Sequence, residues 1–175
     1  MKLLGINLDA DFSWKSHVEA ITSKATQRLY FLKQLRHAGI PQAQLLHFYT
    51  AVIRPVLEYM ALVWNHLLTK TQIEAIQRRA LRIIYSYTSD MPYTSALYCA
   101  AVPSLADCRE HLAQKFFKSV LDPSTCLFTL LPTPWDPSTT TQLRCANKFA
   151  RISTRTRKYQ TFISYALSHY QSAHS

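Results

Sequence analysis

Apolar side chains recur at helical spacing along most of the chain. They repeat every three or four positions from residue 14 to 37, in a wider stripe from 45 to 63, and again after residues 71 and 104. Thr71 with Glu74, and Ser104 with Asp107, have the spacing of capping boxes, so each pair predicts a helix start. The 175 residues include two glycines, whereas sheets joined by tight turns use glycine more freely. The pattern predicts a mainly α protein, a helical bundle.

Each predicted helix has one face that we expect to be buried. The first helix should bury Val18, Ile21, Ala25, Leu29, Leu32 and Leu35. The second, expected to stay in phase beyond Pro55 with a kink near Val52, should bury Leu45, Phe48, Tyr49, Val52, Val56, Tyr59, Met60 and Val63. The two later helices should bury Ile73, Ile76, Ala80, Ile83 and Ile84, and then Leu105, Cys108, Leu112, Phe116 and Val120. The second stripe is the widest, which predicts that it forms the centre of the core.

The two ends of the chain depart from this pattern. Residues 2–8 alternate between apolar and other side chains, which predicts a short strand. Four prolines between residues 122 and 141 predict a linker, and an apolar stretch at 162–170 predicts a last helix that docks back. We therefore expect a strand and turn at 1–13, a helical domain at 14–121, a linker rich in Pro, Ser and Thr at 122–143, and a basic tail at 144–175.

An excess of positive charge is the strongest functional signal in the sequence. The formal net charge is +10, and no acidic residue follows Asp136. Such a surplus favours binding to polyanions, above all nucleic acid. Basic residues on the third helix and in the tail are placed to contact phosphates. The candidate contacts are Arg78, Arg79, Arg82, Arg155, Arg157 and Lys158. The alternative is a solvated charged surface without a ligand.

The sequence contains no set of residues that supports catalysis. Asp9 and Asp11 form the one close carboxylate pair, and a two-metal site would also need a third carboxylate and a supporting sheet. We interpret them as turn and cap residues. Phosphate-binding glycine loops, zinc-protease motifs and nucleophile elbows are absent. The four cysteines form no C-x-x-C pair, and the seven histidines are scattered. We expect no enzyme activity, no metal site and no cofactor.

Four tyrosines follow the third helix at short intervals: Tyr85, Tyr87, Tyr93 and Tyr98. Exposed aromatic rings can stack on nucleobases. Rings at the end of a helix more often pack against it, and we prefer that interpretation.

The distribution of apolar residues argues against a membrane or secretory segment. No stretch reaches the ~20 apolar residues of a membrane span. Asp9 interrupts the apolar start before it reaches the length of a signal peptide. We expect a soluble intracellular protein of the nucleus or cytoplasm, neither secreted nor bound to a membrane.

Several short motifs occur in an order that resembles one family. Residues 4–9 and 12–17 resemble the "LGV-x-LD … L-x-W-x-x-H" stretch that leaves the palm of LINE-type (non-LTR) retrotransposon reverse transcriptases. Later segments similar to motifs of that family lie at residues 24–33, 48–64, 76–82, 102–109 and 157–167. The resemblance extends over about residues 3–171.

This resemblance implies the end of a palm domain, the thumb and the helical region behind it. In such enzymes the thumb holds the template–primer duplex by its backbone, and the catalytic aspartates lie upstream. The resemblance therefore implies a truncated, non-catalytic fragment of an RNA-directed DNA polymerase. Its expected partner is the backbone of RNA or of an RNA–DNA duplex, bound weakly.

Two alternative functions stay open. One is a helical interaction or structural module, which would self-associate through the surface that a palm normally covers. The other rests on a second resemblance, of a short stretch with the same helical pattern, to the N-terminal domain of AlkB-homologue tRNA-modifying dioxygenases. The chain lacks the H-x-D…H iron site of those enzymes, so this resemblance would not bring their activity.

Overall fold

The computed structural model describes residues 1–10, 14–64, 71–135, 148–155 and 161–170. These residues are mostly helical, which confirms the predicted mainly α class, and a small antiparallel sheet lies at the N-terminus. Within the described residues, no helix combines the length and the apolar character that crossing a bilayer requires.

The N-terminal segment is a β-hairpin rather than the single strand predicted for residues 2–8. Strand β1 (Lys2–Leu3) pairs with strand β2 (Ile6–Asn7), with Lys2 opposite Asn7. Leu4 and Gly5 connect them with φ angles of 47° and 82°. Two successive positive φ angles define a tight hairpin turn of the kind that matches strand twist. The period-two pattern was correct locally, but Gly5 lets the chain reverse and pair with itself.

Helix α1 (Lys15–His37) matches the prediction closely. Its buried side chains include Val18, Ile21, Ala25, Leu29 and Leu32, and Leu35 packs against the same core. Ile40 N–H bonds to the Leu35 carbonyl oxygen at 3.2 Å, after Gly39 has taken a left-handed φ of 80°. Glycine adopts this conformation without steric cost, so the helix ends where the sequence indicated.

The second predicted helix is divided into several pieces. Helix α2 (Gln42–Phe48) leads into a π-helical turn (Tyr49–Ile53), followed by α3 (Arg54–Glu58) and α4 (Ala61–Trp64). Pro55 has no N–H for the usual bond to the residue four positions before it, and a π turn accommodates the disturbance by adding a residue to the turn. Met60, with φ 51°, then separates α3 from α4.

This added residue shifts the buried face by one position, so the predicted continuation of the stripe in phase was wrong. In the rest of the π turn and in α3 the fully buried side chains are Ile53 and Leu57, where the pattern had placed Val52 and Val56. Tyr59 and Met60, also predicted in the core, are 46% and 38% exposed. Apolar periodicity assumes 3.6 residues per turn, and a π turn breaks that assumption.

Three further helices follow: the first and the last add side chains to the larger core, and the middle one forms a separate small cluster with Leu81 and Val102. Helix α5 (Thr71–Ile84) buries Ile73, Ile76, Ala80 and Ile84 as predicted, whereas Ile83 is half-buried. A 3₁₀ turn (Ser86–Thr88) leads to α6 (Tyr93–Ala100) and then to α7 (Leu105–Val120). The side chain of Ser104 accepts the Asp107 N–H at 3.0 Å, so the predicted start of α7 is confirmed.

The predicted buried face of α7 was rotated from the observed one. The helix buries Leu105, Arg109, Ala113, Phe117 and Val120, whereas Leu112 is 41% exposed. Cys108 and Phe116, also predicted on that face, are half-buried. The prediction listed apolar residues alone and did not place Arg109 in the core, since an isolated arginine is costly to bury.

A second core cluster joins α7 to the end of the described chain. Helix α8 (Phe162–Tyr170) packs on α7 through Ala166, Leu167 and Tyr170, as the predicted last helix should. Phe149 is buried in the same cluster, and it forms an isolated bridge with Pro134. The predicted linker is not devoid of structure, since residues Cys126–Leu130 form a 3₁₀ helix.

Candidate nucleic-acid interface

The candidate interface lies on helices α1 and α5, which pack along each other. Their C-terminal ends are joined by Arg36. Its guanidinium donates to the carbonyl oxygens of Ile83 and, at 3.3 Å, of Arg82. The last carbonyls of a helix have no partner within it, so a cation placed there both satisfies them and opposes the negative end of the helix dipole. Arg36 therefore holds the end of α5 against α1.

Beside this junction lies a basic groove, which we define by Thr26, Leu29, Tyr30, Lys33, Arg79, Arg82 and Ile83. Its volume is about 320 Å³. Lys33 comes from α1, and Arg79 and Arg82 come from α5, so three cations converge from two helices. All three are exposed, and none of the residues that line the groove is acidic. The groove is therefore a site of concentrated positive charge.

The structure separates the six cations predicted to contact phosphates. Arg79 and Arg82 line the groove, but the Arg78 guanidinium lies over the Tyr93 ring, 5.0 Å from its centroid. Arg155 is exposed in the segment that follows Phe149, in the part of the fold built around the second cluster. Arg157 and Lys158 lie outside the described residues.

Lys33 is the groove cation that the sequence did not select. It lies off the apolar face of α1, and nothing in the local pattern distinguishes it from other basic residues on that helix. The packing of α1 on α5 alone places it beside Arg79 and Arg82. The periodicity of each helix could have indicated which cations are exposed, but not which helices meet.

The four tyrosines after α5 have mixed environments. Tyr85 and Tyr93 are half-buried and pack against the core clusters, as the preferred interpretation expected. Tyr87 lies beside Tyr85, with ring centroids 5.6 Å apart, and is 52% exposed. Tyr98 is 89% exposed, so packing does not account for it. These rings therefore do not form one stacking surface.

A buried polar cluster lies between α5, α6 and α7, away from the groove. The Glu74 carboxylate accepts the Ala106 N–H at 2.6 Å in the first turn of α7, and it also accepts the Tyr93 hydroxyl. Arg109, 1% exposed, places its Nη2 atom 3.8 Å from the same carboxylate and lies 5.8 Å from the centroid of the Trp64 ring. The spacing of Thr71 and Glu74 predicted the start of α5, which begins at Thr71, and the Glu74 side chain also caps α7.

Burial dominates the electrostatics of this cluster. It lowers the pKa of Arg109, and the Glu74 carboxylate opposes that shift. Burial and the hydrogen bond to Glu74 raise the pKa of Tyr93, so its hydroxyl keeps its proton as a donor. Within the described part of the chain, the Nε and Nη1 atoms of Arg109 have no hydrogen-bond partner. The arrangement holds α5, α6 and α7 together through charge and hydrogen bonds.

Neighbouring polar residues form a further contact between α3 and α7. Arg54 forms an ion pair with Glu58 at 2.8 Å, and its guanidinium contacts the Cys108 sulfur. Burial raises the pKa of the Cys108 thiol, which disfavours the reactive thiolate. Cys99, Cys108 and Cys126 are free thiols, and Cys145 lies outside the described residues. Among the described residues, no group of histidine, cysteine and carboxylate side chains is placed to hold a metal ion.

His17, near the N-terminal hairpin, is another buried residue with a basic side chain. It is 1% exposed and borders a cavity of about 460 Å³ that Lys2, Lys24 and Tyr59 also line. Its Nδ1 atom accepts the Asn7 N–H at 3.4 Å, whereas its Nε2 atom has no hydrogen-bond partner among the residues that the structure describes. The ring meets Trp64 edge-on at 6.1 Å. Burial lowers the pKa of His17, which is the behaviour of a core histidine.

Comparison with known proteins associates one segment with a family. Residues 14–54 match the family model described as alkylated DNA repair protein alkB homolog 8, N-terminal. The match covers less than a quarter of the chain, from the start of α1 to the start of α3. No curated protein and no solved structure matches the chain.

This match contradicts the expected membership of the LINE-type reverse transcriptases, because the family that it identifies is an AlkB-homologue N-terminal domain. The interpretation as a polymerase fragment with a thumb was therefore wrong. The motifs behind it consist mainly of apolar and basic residues at helical spacing, which amphipathic helices of many families share. The match supports the alternative resemblance to an AlkB-homologue N-terminal domain, and a model of an N-terminal region supports no enzyme activity for this chain.

Proposed function

We propose that this chain is a non-catalytic helical module that binds nucleic acid through phosphate contacts in the basic groove. The observation that carries this proposal is the convergence of Lys33, Arg79 and Arg82 on a groove without an acidic residue. Clustered cations attract a polyanion by releasing its condensed counterions, and this requires no particular base sequence. The net charge of +10 adds a long-range attraction of the same sign.

The family match is consistent with this proposal. The matched family is named as part of an alkylated DNA repair protein, which associates that protein with nucleic acid. Lys33 lies within the matched residues 14–54, whereas Arg79 and Arg82 lie beyond them. The proposed site thus combines α1, which lies within the matched residues, with α5, which lies beyond them.

Fluorescence anisotropy with labelled RNA and DNA tests the proposal. We expect the full chain to bind at low salt and to bind more weakly as salt rises from about 50 to 200 mM. Replacing Arg79 and Arg82 together with alanine should flatten the plot of log affinity against log salt, by about 0.7–0.9 for each phosphate that the variant no longer neutralises. The physical reason is that fewer counterions are released when fewer phosphates are neutralised.

A matched control separates the groove from net charge. Lys115 and Lys118 are exposed cations on α7, and replacing both with alanine removes the same charge. This control should retain the slope of the unmodified chain. A titration without any response at low salt would refute the proposal, and an equal reduction of slope in both variants would assign binding to net charge instead of the groove.

Self-association, the second function considered from the sequence, stays a prediction. Light scattering on the purified full chain tests it directly. A monodisperse monomer across the working concentration range would contradict an interaction module built on copies of this chain, and it would leave the nucleic-acid proposal intact.

A further inference from the structure

Two aromatic rings on α1 are exposed where a helix of this fold would normally carry polar side chains. Tyr30 is 60% exposed and Phe31 is 57% exposed. Their rings meet edge-on, with centroids 6.0 Å apart. Water solvates aromatic faces poorly, so large exposed rings that lie side by side commonly mark a binding surface.

Tyr30 belongs to the basic groove itself. It lines the groove together with Lys33, one turn further along α1, and with Arg79 and Arg82 across on α5. Phe31 lies on the other side, where it borders an apolar groove with Phe48 and Val52. An exposed aromatic ring surrounded by three cations, with no acidic residue among the groove residues, matches one ligand chemistry particularly well: an anionic chain that also carries flat rings.

Nucleic acid has this chemistry, but its two forms present it differently. In a duplex the base faces are stacked on one another, and only the phosphates and the base edges are accessible. In a single strand the bases can unstack and place a face against a protein ring. Cations alone would not distinguish the two forms, whereas an exposed tyrosine among the cations favours the strand with free base faces.

We propose that the basic groove binds single-stranded nucleic acid, with a base stacked on Tyr30 and the flanking phosphates held by Lys33, Arg79 and Arg82. This inference rests on the proposed function and names the substrate class of the same site. It differs from the expected partner, the backbone of RNA or of an RNA–DNA duplex, because that expectation rested on the resemblance to reverse transcriptases and took no account of Tyr30.

Three labelled ligands of equal length test the inference on the full chain: an oligothymidylate, an abasic strand with the same sugar–phosphate backbone, and a duplex. We expect the oligothymidylate to bind about tenfold more tightly than the abasic strand, the size of effect that one stacked base produces. Replacing Tyr30 with alanine should abolish the difference, and Tyr30→Phe should keep it, since stacking needs the ring but not the hydroxyl. Tyr98→Ala, at an exposed ring on α6, is the control and should keep it too.

The outcomes distinguish the two proposals. Equal binding of the normal and abasic strands, or tightest binding of the duplex, would overturn the single-strand inference while phosphate binding stands. A lack of binding to all three ligands would overturn the proposed function, and the inference with it. If both Tyr30→Ala and Tyr98→Ala lose the preference for the oligothymidylate over the abasic strand, Tyr30 has no particular role. Circular dichroism of each variant verifies that the comparison is made between folded proteins.

Discussion

Arginine has opposite environments in two regions of this protein. In the buried cluster, Arg109 is 1% exposed, between the Glu74 carboxylate and the face of the Trp64 ring. In the basic groove, Arg79 and Arg82 are exposed, with no acidic residue beside them in the groove. The first environment neutralises a charge within the fold, and the second leaves charge available to a ligand.

The difference shows how the surroundings of a residue determine its role. A guanidinium out of water must have a countercharge, so Arg109 is tied to the stability of the fold. A guanidinium in water contributes little to stability but retains its full attraction for phosphate. Substitutions at the two sites should therefore separate stability from binding.

The largest expected effect is at the buried arginine. Arg109→Met should lower the free energy of unfolding by about 3–5 kcal/mol, because it leaves the partly buried Glu74 carboxylate without its countercharge. Urea denaturation followed by circular dichroism measures this. Lys118→Met, an exposed cation on the same helix, is the control and should change stability by less than about 0.5 kcal/mol.

A double variant determines whether the ion pair is the cause. Adding Glu74→Gln to Arg109→Met removes the unpaired negative charge of Glu74. The glutamine side chain keeps an oxygen that can accept the Ala106 N–H. The two effects should be non-additive, with a coupling energy of about 0.5–3 kcal/mol. Strict additivity would show that Arg109 stabilises the fold by packing alone.

The next largest effect is expected at Arg36, which joins the C-terminal ends of α1 and α5. Arg36→Ala should lower the free energy of unfolding by about 1.5–3 kcal/mol, because it leaves the carbonyl oxygens of Arg82 and Ile83 without this charged donor. Thermal unfolding measures it. Lys33→Ala, one turn away and exposed, should be nearly neutral; a similar destabilisation in both variants would exclude a specific role for the Arg36 contacts.

A smaller, pH-dependent effect is expected at His17. Burial lowers its pKa below the ordinary value of 6.5, so the unfolded chain takes up a proton that the folded chain resists as the pH falls. The contribution of His17 to the free energy of unfolding is therefore fully present above pH 6.5. It declines below that pH, by at most about 1.4 kcal/mol per pH unit. Urea unfolding between pH 7.5 and 5.5 should show a steeper decline for the unmodified protein than for His17→Asn.

The control for this effect is His111→Asn, at an exposed position on α7. It should follow the decline of the unmodified protein. If His17→Asn declines as steeply as the unmodified protein, proton uptake at His17 does not govern the pH response.

The smallest effect on stability is expected in the groove. Arg79→Met should change the free energy of unfolding by less than about 0.5 kcal/mol, since its side chain is exposed. Differential scanning calorimetry detects a change of this size as a small shift of Tm. A destabilisation comparable to that of Arg109→Met would contradict the distinction between the two regions.

The fold was predictable where local rules apply without interruption. The face of α1 was predicted correctly because 3.6-residue periodicity holds over its whole length, and the start of α7 because Ser104 accepts a neighbouring N–H. The register after Tyr49 was not predictable, since the π turn at Tyr49–Ile53 depends on how the helix accommodates the missing N–H of Pro55. Arg109 escaped prediction because its partner Glu74 lies on another helix.

The candidate site was predictable only in part. Arg79 and Arg82 were identified from the charge on one helix, and Tyr30 and Lys33 were missed because they lie on a different helix. The motif resemblance was misleading for a related reason. Basic and apolar residues at helical spacing describe a type of helix, and they do not by themselves identify a family.

The sequence by itself determined the helical class, most helix starts and ends, and the excess of positive charge. Spacing and capping depend on residues that are neighbours in the chain, and net charge is a sum over all residues. The tertiary structure alone decided which arginine is buried, which cations converge and which aromatic ring lies among them. Those outcomes depend on contacts between residues distant in the chain, where burial in a low dielectric sets the cost of a charge.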